Sequence, residues 1–169
     1  LAAKRAGARR TFTVGEANAA LPLVRAIVAD LAGLSREVIE RRQRLALLSE
    51  GRAAQRGDLY REELVQIAEE LDKDSRRLRE YVGELRDLGV EPTSGPEGLV
   101  DFPAVVGGRR VYLCWKLGEP EVRYWHELDA GFRERRPLAV IRAAGECLSG
   151  TETAEAGRQW RRLWRGGRT

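Results

Sequence analysis

The sequence predicts an α+β protein: a long, coiled-coil-like antiparallel helical hairpin followed by a small three-stranded antiparallel β-meander packed on it. Three observations carry that expectation. Apolar residues recur at alternating steps of four and three over much of the run from Ala17 to Leu45, and Leu64, Leu71, Leu78 and Leu85 follow at steps of seven; both are seams of packed helices. Two glycines, Gly51 and Gly57, interrupt the pattern between these stretches. After Gly98 the period falls to two, in β-rich runs separated by Gly107-Gly108 and by Gly118-Glu119-Pro120, which is the signature of hairpin-linked strands.

Residues 1–10 are small and basic and read as a disordered arm. The hairpin occupies 11–90. Thr13 and Glu16 form the S/T-x-x-E pattern in which each side chain satisfies the other's free amide at a helix start. Pro22 removes an amide and disfavours a helical Leu21, so the expectation is a short first helix, a kink at Leu21–Pro22, then a helix of about 28 residues, roughly 42 Å long. Residues 50–57 connect it to a second helix that Asp58 can cap. Ile67, Tyr81 and Leu88 lie on the companion row of its leucines, which Asp74 breaks. Gly89 is placed to stop the helix, with Val90 supplying the apolar contact that follows such a stop.

Residues 91–98 read as a linker, because Pro92-Thr93-Ser94-Gly95-Pro96-Glu97-Gly98 is rich in turn formers. The meander spans 99–138, with strands over 99–106, 109–117 and 121–127. If both turns hold an even number of residues, one face carries Phe102, Ala104, Val111, Leu113, Trp115, Val122, Tyr124 and His126 and packs on the helices. The other carries Asp101, Val105, Arg110, Tyr112, Cys114, Lys116, Glu121, Arg123, Trp125 and Glu127, with Asp101, Cys114 and Arg123 in one cross-strand row. A one-residue change in either turn exchanges the faces beyond it. Residues 139–169 are Gly-, Ala- and Arg-rich and read as a disordered or partly helical tail, with Trp160, Leu163 and Trp164 on one short amphipathic stretch.

Composition narrows the function classes. Of 169 residues 43% are hydrophobic and 33% charged, which suits exposed helices with a narrow seam better than a thick core. The net charge of +4 arises from acids and arginines interleaved along the helices, a solvated surface more than a nucleic-acid footprint. Cys114 and Cys147 make no metal-binding or disulfide pattern, and no run of about 20 apolar residues stands out. The expected setting is cytoplasmic, without a membrane. Phosphate loops, dinucleotide fingerprints and triad spacings are absent from the sequence.

The densest cluster of chemically capable side chains runs from Tyr112 to Pro137, with Asp101 beside it. His126, Glu127 and Asp129 suggest a metal, and zinc or iron would need His126 with two or more of Glu127, Asp129, Asp101, Glu119 and Cys114. Neighbouring strand residues face opposite ways, so His126 and Glu127 can share an ion only at a strand end, and the expectation is no metal. His126 is also a candidate general base, against the plainer reading of a hydrogen-bonded structural histidine. Arg123 opposite Cys114 would favour a thiolate, yet a small packed cysteine is the simpler reading. Trp115 and Trp125 read as packing, and Glu119 with Arg136 as an ion pair that fixes loops.

Thr11-Phe12-Thr13, Glu16-Ala17-Asn18, Leu21-Pro22-Leu23-Val24 and Gly98-Leu99-Val100-Asp101-Phe102-Pro103-Ala104 resemble the bacterial domain of unknown function 2203. The stretches Val111-Tyr112-Leu113-Cys114-Trp115, Gly118-Glu119-Pro120-Glu121, Trp125-His126-Glu127 to Gly131-Phe132 and Arg136-Pro137-Leu138 are similar to its C-terminal signature. The resemblance covers about 11–138 and implies no activity or cofactor. It makes Asp101, Cys114, Trp115, Glu119, Trp125, His126, Glu127 and Arg136 the residues to test, and the residues themselves add Arg123 and Asp129. The leading expectation is an interaction or scaffold module that self-associates through its hairpin or binds a protein partner. The alternatives are a small-molecule or metal-dependent enzyme using His126 with Glu127 or Asp129, and weak nucleic-acid binding through the Arg-rich termini.

Overall fold

A computed structural model describes residues 10–51 and 58–139. The arm before Arg10, the connection at 52–57 and the tail from 140, with Cys147, lie outside the described residues. Two helices, α1 (Val14–Gly51) and α2 (Asp58–Asp87), precede a five-stranded sheet of β1 (Glu91–Ser94), β2 (Leu99–Val106), β3 (Arg109–Lys116), β4 (Tyr124–Glu127) and β5 (Arg136–Pro137). The sheet is an antiparallel meander in chain order. Five strands replace the three expected from the sequence.

The helix ends follow local chemistry. At the start of α1, Thr13 N–H donates to Glu16 Oε2 at 2.8 Å, while Glu16 N–H donates to Thr13 Oγ1 at 3.2 Å. At the end of α2, Val90 N–H reaches Leu85 O and Gly89 N–H reaches Arg86 O, both at 2.9 Å, with Gly89 at φ 87°. That is the paired-bond stop for which a left-handed glycine is suited. The expected break at Leu21–Pro22 does not occur, and α1 is one helix with Pro22 inside it. Pro22 lies on the exposed side, where water can bond the carbonyl left without a helical partner. Ala17, Leu21 and Val24 remain buried on the other side.

Arg10 Nη1 donates to Leu88 O while Arg41 pairs with Asp74, so α1 and α2 run antiparallel. Their seam continues into the sheet: Val24, Val28 and Leu85 share one core with Phe102, Leu113 and Trp115. Three tethers hold α1 across the sheet. Asn18 Oδ1 accepts from Val122 N–H at 2.8 Å, Arg25 Nη2 donates to Glu119 O and Pro120 O, and Arg36 Nε donates to Pro96 O. By length and composition alone α1 is long and apolar enough to cross a membrane, with mean hydropathy 1.4 over an 18-residue window within Val14–Leu47, a test that the core helix of a soluble protein also passes. Here its apolar face is part of the protein core.

Residues 91–98 are not a linker. Glu91 pairs with Asp101 and Pro92 with Val100, and an irregularity follows before Ser94 meets Leu99. Proline is compatible with this because β1 is an edge strand and needs no outward amide. Gly98, at φ 64°, returns the chain so closely that a Cβ there would stand 2.6 Å from Leu117 Cβ. Gly107 and Gly108, at φ 57° and 78°, close the β2–β3 hairpin in the expected register, with Val106 opposite Arg109. The third predicted strand shortens to Tyr124–Glu127, and Arg136–Pro137 adds a fifth.

Candidate functional site

β2 and β3 place Asp101 opposite Cys114, as their hairpin requires. β4 then departs from expectation. Cys114 pairs with Tyr124, Leu113 with Trp125 and Tyr112 with His126, so the connection holds an odd number of residues and the faces of β4 exchange. Trp125 joins the core, and His126 moves to the face that carries Asp101 and Cys114. The reason lies in the connection, which is a tethered loop and not a tight turn. Glu119 folds back so that Oε2 accepts from Lys116 N–H at 2.9 Å, and Trp115 Nε1–H donates to Glu119 O at 3.0 Å. Val122 is drawn down to Asn18 and buried.

The consequence is a buried polar cluster on three adjacent central strands. Asp101, Cys114 and His126 are 7%, 1% and 4% exposed, and one ligating atom from each lies within 4.8 Å of the others. His126 Nε2 is 3.1 Å from Asp101 Oδ1, and Nδ1 is 2.8 Å from the carbonyl oxygen of Glu127. A carbonyl only accepts, so Nδ1 carries a proton and Nε2 faces the carboxylate. The pair is therefore satisfied by one further proton, shared between Nε2 and Oδ1. Thr93 Oγ1–H donates to Asp101 Oδ2 at 2.8 Å, and the Cys114 thiol also bonds Asp101. Both oxygens of this carboxylate therefore have a donor, as a buried carboxylate demands.

Burial by itself would lower the His126 pKa, but the Asp101 hydrogen bond and charge, the Glu127 carbonyl and the charge of Glu134 outweigh it and raise the value. Cys114 is pushed upward by burial first, then by the Asp101 charge and hydrogen bond, so it is held as a thiol. The alternative of a thiolate favoured by Arg123 does not arise, because Tyr124 and not Arg123 stands opposite Cys114. Arg123 is exposed and bonds Glu121 at 2.7 Å.

Because the His126 pKa lies above its ordinary 6.5, its protonation stabilises the fold fully below that value and progressively less as pH rises through the raised one. Asp101, Cys114, Tyr112 and Glu134 are the titratable groups around the ring. Unfolding midpoints measured with a chelator present should therefore fall as pH rises above about 6.5, and His126→Gln should flatten that slope. An identical slope in the variant would contradict the assignment.

A short 3-10 turn, Phe132–Glu134, and Arg135 fold over the same face. The Arg135 guanidinium lies 4.1 Å from the Tyr124 ring and 4.0 Å from the Phe132 ring, and its Nη1 is 2.7 Å from Glu119 Oε1. Glu119 thus pairs with Arg135, not with the expected Arg136, which instead lies 5.7 Å from the Trp125 ring. Glu127 pairs outward with Arg109 at 3.2 Å, and Asp129 is exposed in the following turn. Neither joins His126 in the grouping of possible ligands found among the described residues. Trp115 is a core residue. Sequence reasoning missed Thr93, hidden in a stretch that reads as a loop, and Arg135, one arginine in the run Arg133-Glu134-Arg135-Arg136 with nothing to distinguish it.

The family model of the uncharacterized conserved protein DUF2203 matches residues 10–138, which include every residue of this cluster and its cover. No curated protein and no solved structure matches the chain.

Proposed function

The chain belongs to the DUF2203 family of uncharacterized conserved proteins, and from that premise we propose that it is an interaction module whose hairpin self-associates by coiled-coil-like packing. The observation that carries this reading is the loss of burial along the helix seam. Leu85, Leu78 and Leu71 are buried, whereas Leu64, Ile67 and Leu45 are only half covered. Leu47 and Val65, on the same stretch of the two helices, stand 72% and 58% exposed. Two helices alone cannot enclose a core, and a second pair closes it as a four-helix bundle.

The occupant we infer is a second copy of this chain, because charge sorts by helix in this outer stretch. In this outer stretch α1 carries Arg41, Arg42 and Arg44. The facing part of α2 carries Glu62, Glu63, Glu69, Glu70, Asp72 and Asp74 against Arg61 and Lys73. A two-fold pairing that sets the α1 of one copy against the α2 of the other is self-complementary in charge.

Light scattering across a concentration series tests this. The expected result is a dimer that Leu47→Glu with Val65→Glu weakens at least tenfold, about 1.4 kcal/mol. Both side chains are exposed, so the far-ultraviolet dichroism of the variant should match that of the parent. A parent chain that stays monomeric at every concentration would sink the reading.

A further inference from the structure

We propose that Asp101, Cys114 and His126 form a binding site for a single divalent transition-metal ion of the zinc class, with Asp101 Oδ1, Cys114 Sγ and His126 Nε2 as its protein ligands. The donor set is mixed sulfur, nitrogen and oxygen, which suits zinc, cobalt or iron and disfavours the all-oxygen ions magnesium and calcium. The three ligands come from adjacent strands, with Asp101 and Cys114 paired to a neighbouring strand on both sides and His126 paired to Tyr112 on β3. Bonds of about 2.0–2.3 Å to a tetrahedral ion put its ligand atoms roughly 3.3–3.7 Å apart. The present Nε2···Oδ1 separation of 3.1 Å is already close to that edge, and all three atoms lie within 4.8 Å of one another.

The groups behind the ligands point the same way. A metal-binding imidazole commonly donates its other N–H to a carbonyl or carboxylate, which fixes the ring and leaves one nitrogen for the ion. His126 does this through Nδ1–H to the Glu127 carbonyl oxygen at 2.8 Å, aiming Nε2 inward. Thr93 does the equivalent for Asp101: its hydroxyl holds Oδ2 at 2.8 Å and leaves Oδ1 for the centre. The charge also closes. Entry of the ion displaces two protons to solvent, one from the thiol and one shared by Nε2 and Oδ1. One thiolate, one carboxylate and a neutral imidazole then cancel the two positive charges, as a buried site needs. Three protein ligands leave a fourth position for a solvent molecule or an exogenous donor, on the face that Phe132 and Arg135 cover.

Cobalt(II) is the probe, added under reducing conditions to the full chain carrying Cys147→Ser, so that Cys114 is its single thiol. The expected result is one equivalent bound, a thiolate-to-cobalt charge-transfer band in the near ultraviolet, and displacement by zinc. Cys114→Ser should abolish that band. Thr93→Val removes only the hydroxyl behind Asp101 and should weaken binding roughly 10–100-fold without touching a ligand. These two conservative variants keep the test open if Asp101 and His126 substitutions fail to fold. A natively folded chain that shows no thiolate band at saturating cobalt would overturn the proposal and leave the cluster as a hydrogen-bonded network. A band that survives Cys114→Ser would overturn it as well.

Discussion

Asp101→Ala is expected to destabilise the protein by about 3–5 kcal/mol, the usual cost of removing one partner of a buried, hydrogen-bonded charge pair. Three donors converge on that carboxylate, from His126, Thr93 and Cys114, and all lose their acceptor together. A domain is stable by only roughly 5–15 kcal/mol, so the loss is a large share of the whole. Urea unfolding at neutral pH with a chelator present would measure it. The diagnostic comparison is a double-mutant cycle with His126→Ala. In that background the Asp101→Ala cost should shrink, by a coupling of about 0.5–3 kcal/mol. Additive effects would show that the two side chains stabilise the fold independently and would remove the basis of the pair.

Trp115→Ala should cost a similar amount, about 3–5 kcal/mol, through a different mechanism. Trp115 is fully buried and stands in the core shared by the helices and sheet. Its removal leaves a cavity that the surrounding close-packed core can only partly fill. The substitution also frees Glu119 O from the indole N–H and takes away the ring 5.8 Å from the Arg25 guanidinium. Those contacts shape the connection that sets the register of β4, so the damage extends beyond lost volume. Trp115→Phe keeps most of the volume and loses the N–H, and should cost about 1–2 kcal/mol less than alanine. Equal losses for the two variants would mean that the hydrogen bond, not the packing, is the principal contribution.

Much of the fold is determined by short stretches of sequence. Thr13 with Glu16, Gly89 with Val90, and Gly107-Gly108 each specify a cap or turn from contacts a few residues apart, and each forms as its chemistry requires. The leucines at steps of seven likewise determine which stripe of α2 turns inward, and Asp101 opposite Cys114 follows from a two-residue hairpin. Tertiary structure decided the rest. Pro22 stays helical because the helix around it is buried on the opposite side and pinned through Asn18, which no local preference expresses. β1 and β5 each contain a proline and form because an existing sheet edge offers partners to residues that read as loop. The decisive case is β4. Its alternation of side chains was legible, but which alternate set faces inward depends on the parity of the connection from Leu117 to Arg123. That parity is fixed by Asn18, Arg25 and Trp115, two of them on a helix roughly a hundred residues earlier. A strand has a side-chain period of two, so one residue in that loop moves His126 from the helix-packed face to Asp101 and Cys114.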